Sequence, residues 1–331
     1  MALPPLTIDP LVAQRCVKIT DERGDDPRGH YELLMPEQFR PVDKPFGMPS
    51  NEESPVQVSL FQTMEPPLAE LEITGMFLRR EIAPADMLEL LLADQTIVEQ
   101  RRVPSPGGDL LDALTRVGGE RPYYSRWWTV KDGGSDGGRL YVLEARAEEA
   151  IYPQVQDQLS TMLASWKLLH PTDWDYFEEL RQLARRTPND FVFFYPASWQ
   201  IDLKTDEPDE VMADLWQVMG DKLAGRITVL SRPGQIAPDA AIDRYAESLG
   251  APVAWTDLEE MAPFGGLERA WTRRGRTHLG EAVADLTVRV GQKGGGTIVF
   301  ALAGVSASVD AFAYASMRRA LDVLTETFRI S

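Results

Sequence analysis

The chain has 331 residues, of which 44% are hydrophobic, and a formal net charge of −17 at pH 7. This length suffices for two domains of roughly 150 residues, each with its own hydrophobic core. The negative charge argues against binding to nucleic acid or to anionic lipid, because Lys and Arg must neutralise both surfaces. Cys16 is the single cysteine, so an intrachain disulfide is excluded.

The first residues, MALPPLTIDP, lack the basic and continuously apolar segments of a signal peptide. No apolar run in the sequence approaches the ~18 residues that cross a bilayer. We therefore expect a cytoplasmic protein without membrane insertion. Residues 1–19 form an N-terminal arm in this interpretation, and the proline-rich part, residues 1–15, is expected to be loosely held.

Two short stretches lie 160 positions apart and share one arrangement. Phe191–Trp199 reads FVFFYPASW, and Tyr31–Phe39 reads YELLMPEQF. In each stretch a β-type run ends at a proline, which cannot donate to a sheet, and an aromatic residue follows three positions later. The pattern predicts a buried strand in each half of the chain. We expect the Trp199 ring to fold back and cap the core that its strand lines.

Each half then continues with the same succession of elements. In each half a predicted helix begins at a proline, Pro84 in the first half and Pro238 in the second. Three predicted strands follow each helix, and a glycine-rich turn, at 133–138 or 294–296, joins the last two strands. A closing helix carries apolar residues at helical spacing in both halves. These residues are Val155, Leu159, Met162 and Trp166 in the first half and Met317, Leu321, Leu324 and Phe328 in the second.

The repeated order of elements indicates an internal duplication. It predicts an α+β fold of two similar domains, residues 20–168 and 188–331, each an antiparallel β-sheet with helices packed on both faces. Residues 169–187 lie between them and carry Trp174, Phe177, Leu180 and Ala184, an apolar stripe at helical spacing. We expect this segment to be an amphipathic helical connector that buries its stripe.

Residue patterns for catalysis, metals and cofactors are missing from the sequence. The three histidines occur in neither HExxH nor HxH spacing, and no CxxC or GxSxG motif is present. The glycine tracts lie between predicted strands, whereas a phosphate loop precedes a helix N-terminus. We therefore predict no catalytic, cofactor-binding or metal-binding residue.

Tryptophans are the candidate partner-binding residues. Trp127 and Trp128 are adjacent in a predicted strand, so their rings point to opposite faces of the sheet. Trp216 and Trp255 lie in less regular stretches. An exposed tryptophan on an acidic protein would mark a surface that binds a protein partner. The alternative is that helices cover the sheet on both faces and bury these rings.

The strand-Pro-x-x-aromatic stretches at 31–39 and 191–199, with the elements that follow them, resemble a superfamily of known domains. This superfamily includes photosystem PsbP proteins, Mog-type Ran-binding proteins and the bacterial Eag-type chaperones of type VI secretion. The resemblance implies an antiparallel sheet flanked by helices, and binding in place of catalysis. In Eag-type chaperones, paired domains hold hydrophobic effector segments. No functional residue is carried over to this chain.

Two functions of different classes follow from these patterns. The first is a non-enzymatic protein-binding module. In a more specific form, this module is a bacterial secretion chaperone or adaptor that is built as an intrachain pseudo-dimer and binds a secreted effector. The alternative is a small-ligand-binding protein or enzyme with a site between the domains, using dispersed carboxylates and the arginines Arg273, Arg274 and Arg276. In a third interpretation, one half serves only as structural support.

Overall fold

A computed structural model of the protein describes residues 3–23, 25–42, 55–65, 68–186, 189–220, 222–279 and 282–330. The chain divides into two compact units. Unit 1 comprises Met1–Arg79 and Ala83–Glu178, and unit 2 comprises Arg80–Ile82 and Glu179–Ser331. Both units are α+β, with antiparallel strand pairs and few helices, so the fold class predicted from the sequence is confirmed.

Unit 1 is built on two antiparallel sheets. Its elements in chain order are α1 (Pro10–Ala13), β1 (Cys16–Asp21), β2 (Tyr31–Pro36), β3 (Phe39–Pro41), β4 (Val56–Thr63), β5 (Ala69–Leu78), α2 (Pro84–Leu91), β6 (Thr96–Val103), β7 (Leu110–Val117), β8 (Tyr123–Asp132), β9 (Gly138–Glu148), α3 (Tyr152–Ser165) and β10 (Lys167–Leu168). The larger sheet has the order β3-β4-β5-β9-β8-β7-β6, and the smaller sheet has the order β1-β2-β10.

The main core of unit 1 lies under α3. Leu159 and Met162 of this helix are fully buried among the apolar side chains of β2, β5 and β9. The Trp166 ring, just after the helix, stacks on Tyr31 at 5.6 Å between ring centroids and lies 5.2 Å from Tyr141. Burial of this helical face and of the aromatic rings stabilises the fold of unit 1.

Unit 2 also has one large and one small antiparallel sheet. Its elements are β11 (Leu180–Arg185), β12 (Phe191–Pro196), β13 (Gln200–Glu207), β14 (Glu210–Met219), β15 (Lys222–Pro233), α4 (Pro238–Leu249), β16 (Val253–Trp255), β17 (Glu259–Met261), β18 (Arg269–Leu279), β19 (Ala282–Lys293), β20 (Gly296–Val305), α5 (Ala311–Thr327) and β21 (Arg329–Ile330). The large sheet has the order β13-β14-β15-β20-β19-β18-β16, with β17 also pairing with β18. The small sheet has the order β11-β12-β21.

Helices cover both faces of the large sheet of unit 2. Phe300 and Leu302 of β20 belong to the core that contains the buried residues of α5. Val299 and Ala301, the alternate residues of the same strand, pack with the buried residues of α4. Because side chains alternate along a strand, α4 and α5 lie on opposite faces of the sheet.

The two strand-Pro-x-x-aromatic stretches fold as expected. β2 and β12 both end at their prolines, and the aromatic rings that follow, Phe39 and Trp199, are 0% and 1% exposed. The Trp199 amide donates to the Pro196 carbonyl at 3.0 Å, which turns the chain so that the indole re-enters the core of unit 2. Burial of Trp199 is confirmed.

The predicted helix in the connector is wrong. Residues 169–179 have no regular secondary structure, and Leu180–Arg185 is the strand β11, paired antiparallel with β12. Residue 187, at the end of the predicted connector, lies outside the described residues. Six residues of this segment pair with six residues of β12. The backbone hydrogen bonds of this pairing stabilise a strand more than the short amphipathic pattern stabilises a helix. The division between the units falls between Glu178 and Glu179, inside the segment predicted as connector.

The expectation of a loosely held arm is also wrong for its described residues. Leu3 is 7% exposed, and its amide donates to the Glu99 carboxylate at 2.7 Å. Asp9 caps the short helix α1 by accepting from the Leu11 and Val12 amides, and its own amide donates to Thr161. Buried apolar area and specific hydrogen bonds therefore tie the arm to unit 1.

Candidate functional site

The first candidate site is an open edge of the large sheet of unit 2, formed by β16 and β17. β16 and β17 pair with β18 in the registers Trp255↔Gly275 and Glu260↔Trp271. No strand in the described part of the chain pairs with the other side of β16 or β17. The Thr256 amide donates to the Arg274 carbonyl, so alternation along the strand leaves the amides of Val253 and Trp255 facing outward. Unpaired outward amides and carbonyls are able to pair with another extended chain.

The local sequence explains why a short strand forms at this edge. Gly250 ends α4 in the left-handed conformation, with φ of 67°, which a residue with a side chain rarely adopts. Pro252 follows and favours an extended backbone, so the chain leaves the helix directly into β16. The helix C-terminus and the strand are thus held side by side.

A shallow cavity of about 540 Å³, wide open to solvent, lies on the α4 face of this edge. Asp243 and Glu247, one helical turn apart and both exposed, line one wall, and Val253 and Trp255 line another. Trp255 is partly buried against the core beneath α4, and the Arg273 guanidinium lies 5.7 Å from its ring centroid. The cavity therefore combines an aromatic surface with negative charge, a combination that favours apolar or basic side chains.

A second cavity, of about 290 Å³, lies on the opposite face of the same strand. Ala254 and Thr256 of the edge line it, together with Arg274, Arg276 and Tyr314. The Arg276 Nε donates to Asp285 at 2.8 Å. Partial burial by itself raises the pKa of Asp285, but the hydrogen bonds from Arg276 and Ser306 outweigh it and hold the pKa below its usual value.

The four predicted partner-binding tryptophans are all partly exposed. Trp127 and Trp128 lie in β8 of unit 1. Trp128 packs against the core under α3, and the Trp127 Nε1 donates to Thr115 at 2.9 Å. Trp216 lies in β14 and donates to Gln200 at 3.1 Å. Of the four, Trp255 alone lines one of the cavities described here.

Trp216 and Trp255 cannot contact one ligand side chain together. Five strand spacings separate β14 from β16 in the sheet, a distance of roughly 24 Å at about 4.8 Å per strand. The three arginines of the alternative prediction are also divided. Arg274 and Arg276 line the second cavity, whereas Arg273 lies on the α4 face and pairs with Asp239 at 3.1 Å.

Unit 1 has a polar cluster at a cavity of about 390 Å³. The buried Tyr31 hydroxyl donates to Ser59 at 2.7 Å and lies 3.1 Å from Asp21, which also accepts two hydrogen bonds from Arg23. Burial raises the pKa of the Tyr31 hydroxyl, so it stays protonated. The hydrogen bonds among these two hydroxyls and the carboxylate link β1 to β2 and β4.

A group of charged side chains in the large sheet of unit 1 was not predicted from the sequence. Arg146 donates to Glu70 at 2.8 Å and also pairs with Glu144, in neighbouring strands of the large sheet. Burial raises the pKa of Glu144, and the hydrogen bond from Ser125 only partly opposes this effect. The alternation of charged and apolar residues in Ala69–Leu78 was the only sequence signal for this group.

In the described part of the chain, no group of three or more His, Cys, Asp or Glu side chains could hold a metal ion. Among the helices of the described ranges, none is both long and apolar enough to cross a membrane.

Comparison with known proteins gave structural likenesses only. No protein family matches the chain, and no curated protein matches it. Among solved structures it is similar to cyanobacterial PsbP from Synechocystis sp. PCC 6803, with 15% identity over 49% of this chain and 99% of that chain, and a TM-score of 0.35.

Two further solved structures are similar to the chain. LpqN, involved in cell envelope biogenesis of Mycobacterium tuberculosis, has 16% identity over 46% of this chain and 91% of its own, with a TM-score of 0.28. The type VI secretion immunity protein TplEi of Pseudomonas aeruginosa has 12% identity over 82% of this chain and 94% of its own, with a TM-score of 0.26. Likenesses at this level carry no information about activity.

Proposed function

We propose that this chain is a protein-binding module that captures an extended segment of its partner along the edge formed by β16 and β17. The observation that supports this function best is the open strand edge with a cavity on each face. A strand added to such an edge gains affinity from main-chain hydrogen bonds, and pockets for alternate side chains give it specificity.

The geometry assigns a role to each side of the edge. The outward amides of Val253 and Trp255 pair with the added strand. On the α4 face, Trp255 provides the aromatic anchor for an apolar side chain of the partner, while Asp243 and Glu247 favour a basic one. The residues of the added strand that point to the other face enter the cavity beside Arg274.

The same proposal has a narrower form. Both units have a large sheet with the same order of corresponding strands, which supports a duplicated chain that acts as an intrachain pseudo-dimer. In this form the protein is a cytoplasmic secretion chaperone or adaptor, and a secreted effector is the partner.

Selection from a random peptide library displayed on phage tests the proposal directly. The immobilised full chain is the bait, and the selected peptides are then titrated by fluorescence anisotropy. We expect extended peptides to bind, and Trp255→Ala to weaken them at least about tenfold, since central aromatic residues dominate such interfaces. Val253→Pro removes one outward amide and should abolish binding, because proline cannot donate to the added strand.

Trp216→Ala is the matched control, because Trp216 is an equally partly exposed tryptophan of the same sheet, five strands away. It should leave peptide affinity unchanged. Circular dichroism of each variant verifies that the sheet has formed. Failure to select any peptide, or equal affinities for wild type, Trp255→Ala and Val253→Pro, would show that the edge does not bind proteins.

A further inference from the structure

In unit 1, residues 3–4 of the N-terminal arm lie between the end of the large sheet and the start of α3. We call this site, which Arg126 and Tyr152 line, the corner of unit 1. The Pro4 carbonyl accepts from the Arg126 Nη2 at 2.7 Å and from the Arg101 Nη2 at 3.2 Å. Leu3 is buried beside this carbonyl, and the Leu3 amide donates to the Glu99 carboxylate. The corner therefore holds a short extended segment through guanidinium groups and one apolar contact.

The guanidinium of Arg126 is fixed in place for this contact. Arg126 is 1% exposed, and its Nε and Nη2 donate to the two oxygens of the fully buried Asp112 at 3.0 and 2.9 Å. The Nη1 donates to Ser160 of α3 at 2.8 Å. The second N–H of the Arg126 Nη2 is thus left to hold the arm, so the corner is suited to a main-chain carbonyl.

Unit 2 has a corner at the same place in its own sheet. β16, β18 and β19 take the positions at the end of the large sheet that β6, β7 and β8 take in unit 1. α5 begins beside them as α3 does in unit 1, and Tyr314 and Tyr152, both in the first turns of these helices, line the two corners. In unit 2 this corner is the open 290 Å³ cavity, and no segment from the described ranges fills it.

Positive charge is concentrated around this cavity. Arg274 is exposed, and its guanidinium has no hydrogen-bond or ion-pair partner among the described residues. The Arg318 guanidinium lies 5.7 Å from the Tyr314 ring centroid, and Arg276 pairs with Asp285. Two guanidinium groups, those of Arg274 and Arg276, therefore line the cavity together with one carboxylate, that of Asp285, on a chain whose net charge is −17. Such a site favours a carboxylate, which arginine binds through two parallel hydrogen bonds.

We propose that the corner formed by Thr256, Arg274, Arg276 and Tyr314 binds an acidic side chain of the partner segment, in the place where unit 1 holds its own residues 3–4. This inference rests on the proposed function, because the acidic residue belongs to the strand added along β16. That strand places alternate residues on the two faces: apolar or basic ones against Trp255, and acidic ones against Arg274.

The test uses two fluorescein-labelled peptides and the full chain. One peptide alternates Val and Glu, and the other alternates Val and Gln, so that they differ only in charge. We expect the Val/Glu peptide to bind about tenfold more tightly, which corresponds to one charge-assisted contact. Arg274→Gln should remove this preference, and Arg274→Lys should keep part of it, because lysine retains the charge without the paired geometry.

Arg269→Gln is the matched control, since it removes the same charge from an exposed position of the same strand, away from the cavity. It should leave the preference intact. Equal binding of the two peptides, or a preference that persists in Arg274→Gln, overturns the inference. The proposed function stands separately if the peptides selected on phage still depend on Trp255 and Val253, and it falls if no peptide binds the edge.

Discussion

Strand geometry sets the surroundings of the residues in the middle of β8. Trp127 and Trp128 are adjacent and face opposite sides of the sheet, and of the two only Trp128 joins the core under α3. Arg126 and Asp112 are 14 positions apart in neighbouring strands, and the register that pairs Asp112 with Trp128 brings these two residues together.

Trp199 should make a large contribution to the stability of unit 2. Its indole is 1% exposed and fills space among Phe193, Leu215 and other core residues. We expect Trp199→Ala to lower the free energy of unfolding by ~3–5 kcal/mol, measured by urea titration. Trp216→Ala, which truncates a partly exposed ring, should cost clearly less. A loss below about 1 kcal/mol for Trp199→Ala would contradict the packing described for this ring.

At the scale of elements, the sequence identified strands and helices with strong patterns and missed those that depend on a distant partner. The closing helices α3 and α5 have apolar residues at helical spacing, and both form. The predicted connector, residues 169–187, carries an apolar stripe that suits a helix, but pairing with β12 makes Leu180–Arg185 the strand β11. The arm is ordered by contacts with Glu99 and Arg126, about a hundred positions away.

Removal of residues 1–8 should destabilise unit 1. The truncation exposes the Leu3 site and takes the carbonyl acceptor from Arg126, whose guanidinium is otherwise buried. Together these losses should lower the free energy of unfolding by about 2–4 kcal/mol. Leu11→Ala, at a position that is 74% exposed, is the control and should change stability by less than about 0.5 kcal/mol. An unchanged unfolding curve for the truncated chain would mean that the arm is not held in solution.

At the scale of the whole molecule, carboxyl groups whose pKa is lowered by folding make the free energy of unfolding depend on pH. Hydrogen bonds from Arg139 and Arg28 hold the pKa of Asp26 far below its usual value, although partial burial opposes them. The pKa of Asp21 is also lowered, because hydrogen bonds from Arg23 outweigh the opposite effect of burial. A carboxyl whose pKa is lower in the folded state stabilises the fold above its unfolded pKa and loses this effect as the pH falls.

We therefore expect the free energy of unfolding of unit 1 to fall as the pH drops from about 5 to about 2, because these carboxyls have an ordinary pKa near 3.8 when unfolded. Asp26→Asn should lower stability at neutral pH and flatten this acid-dependent decline. Denaturant titrations of both proteins across this pH range measure the effect. A variant whose pH dependence matches that of the wild type would exclude Asp26 as a major contributor.

The sequence by itself determined the α+β class, the two buried strands that end in Pro-x-x-aromatic, and the helices that close each unit. These features follow from spacing of 2 or 3.6 residues, which is a local property of the chain. Only the tertiary structure decided the candidate site. The open edge at Trp255, the arginines beside Tyr314 and the arm on Arg126 depend on strand order and on which segments fill each corner. These are long-range contacts, and no local pattern encodes them.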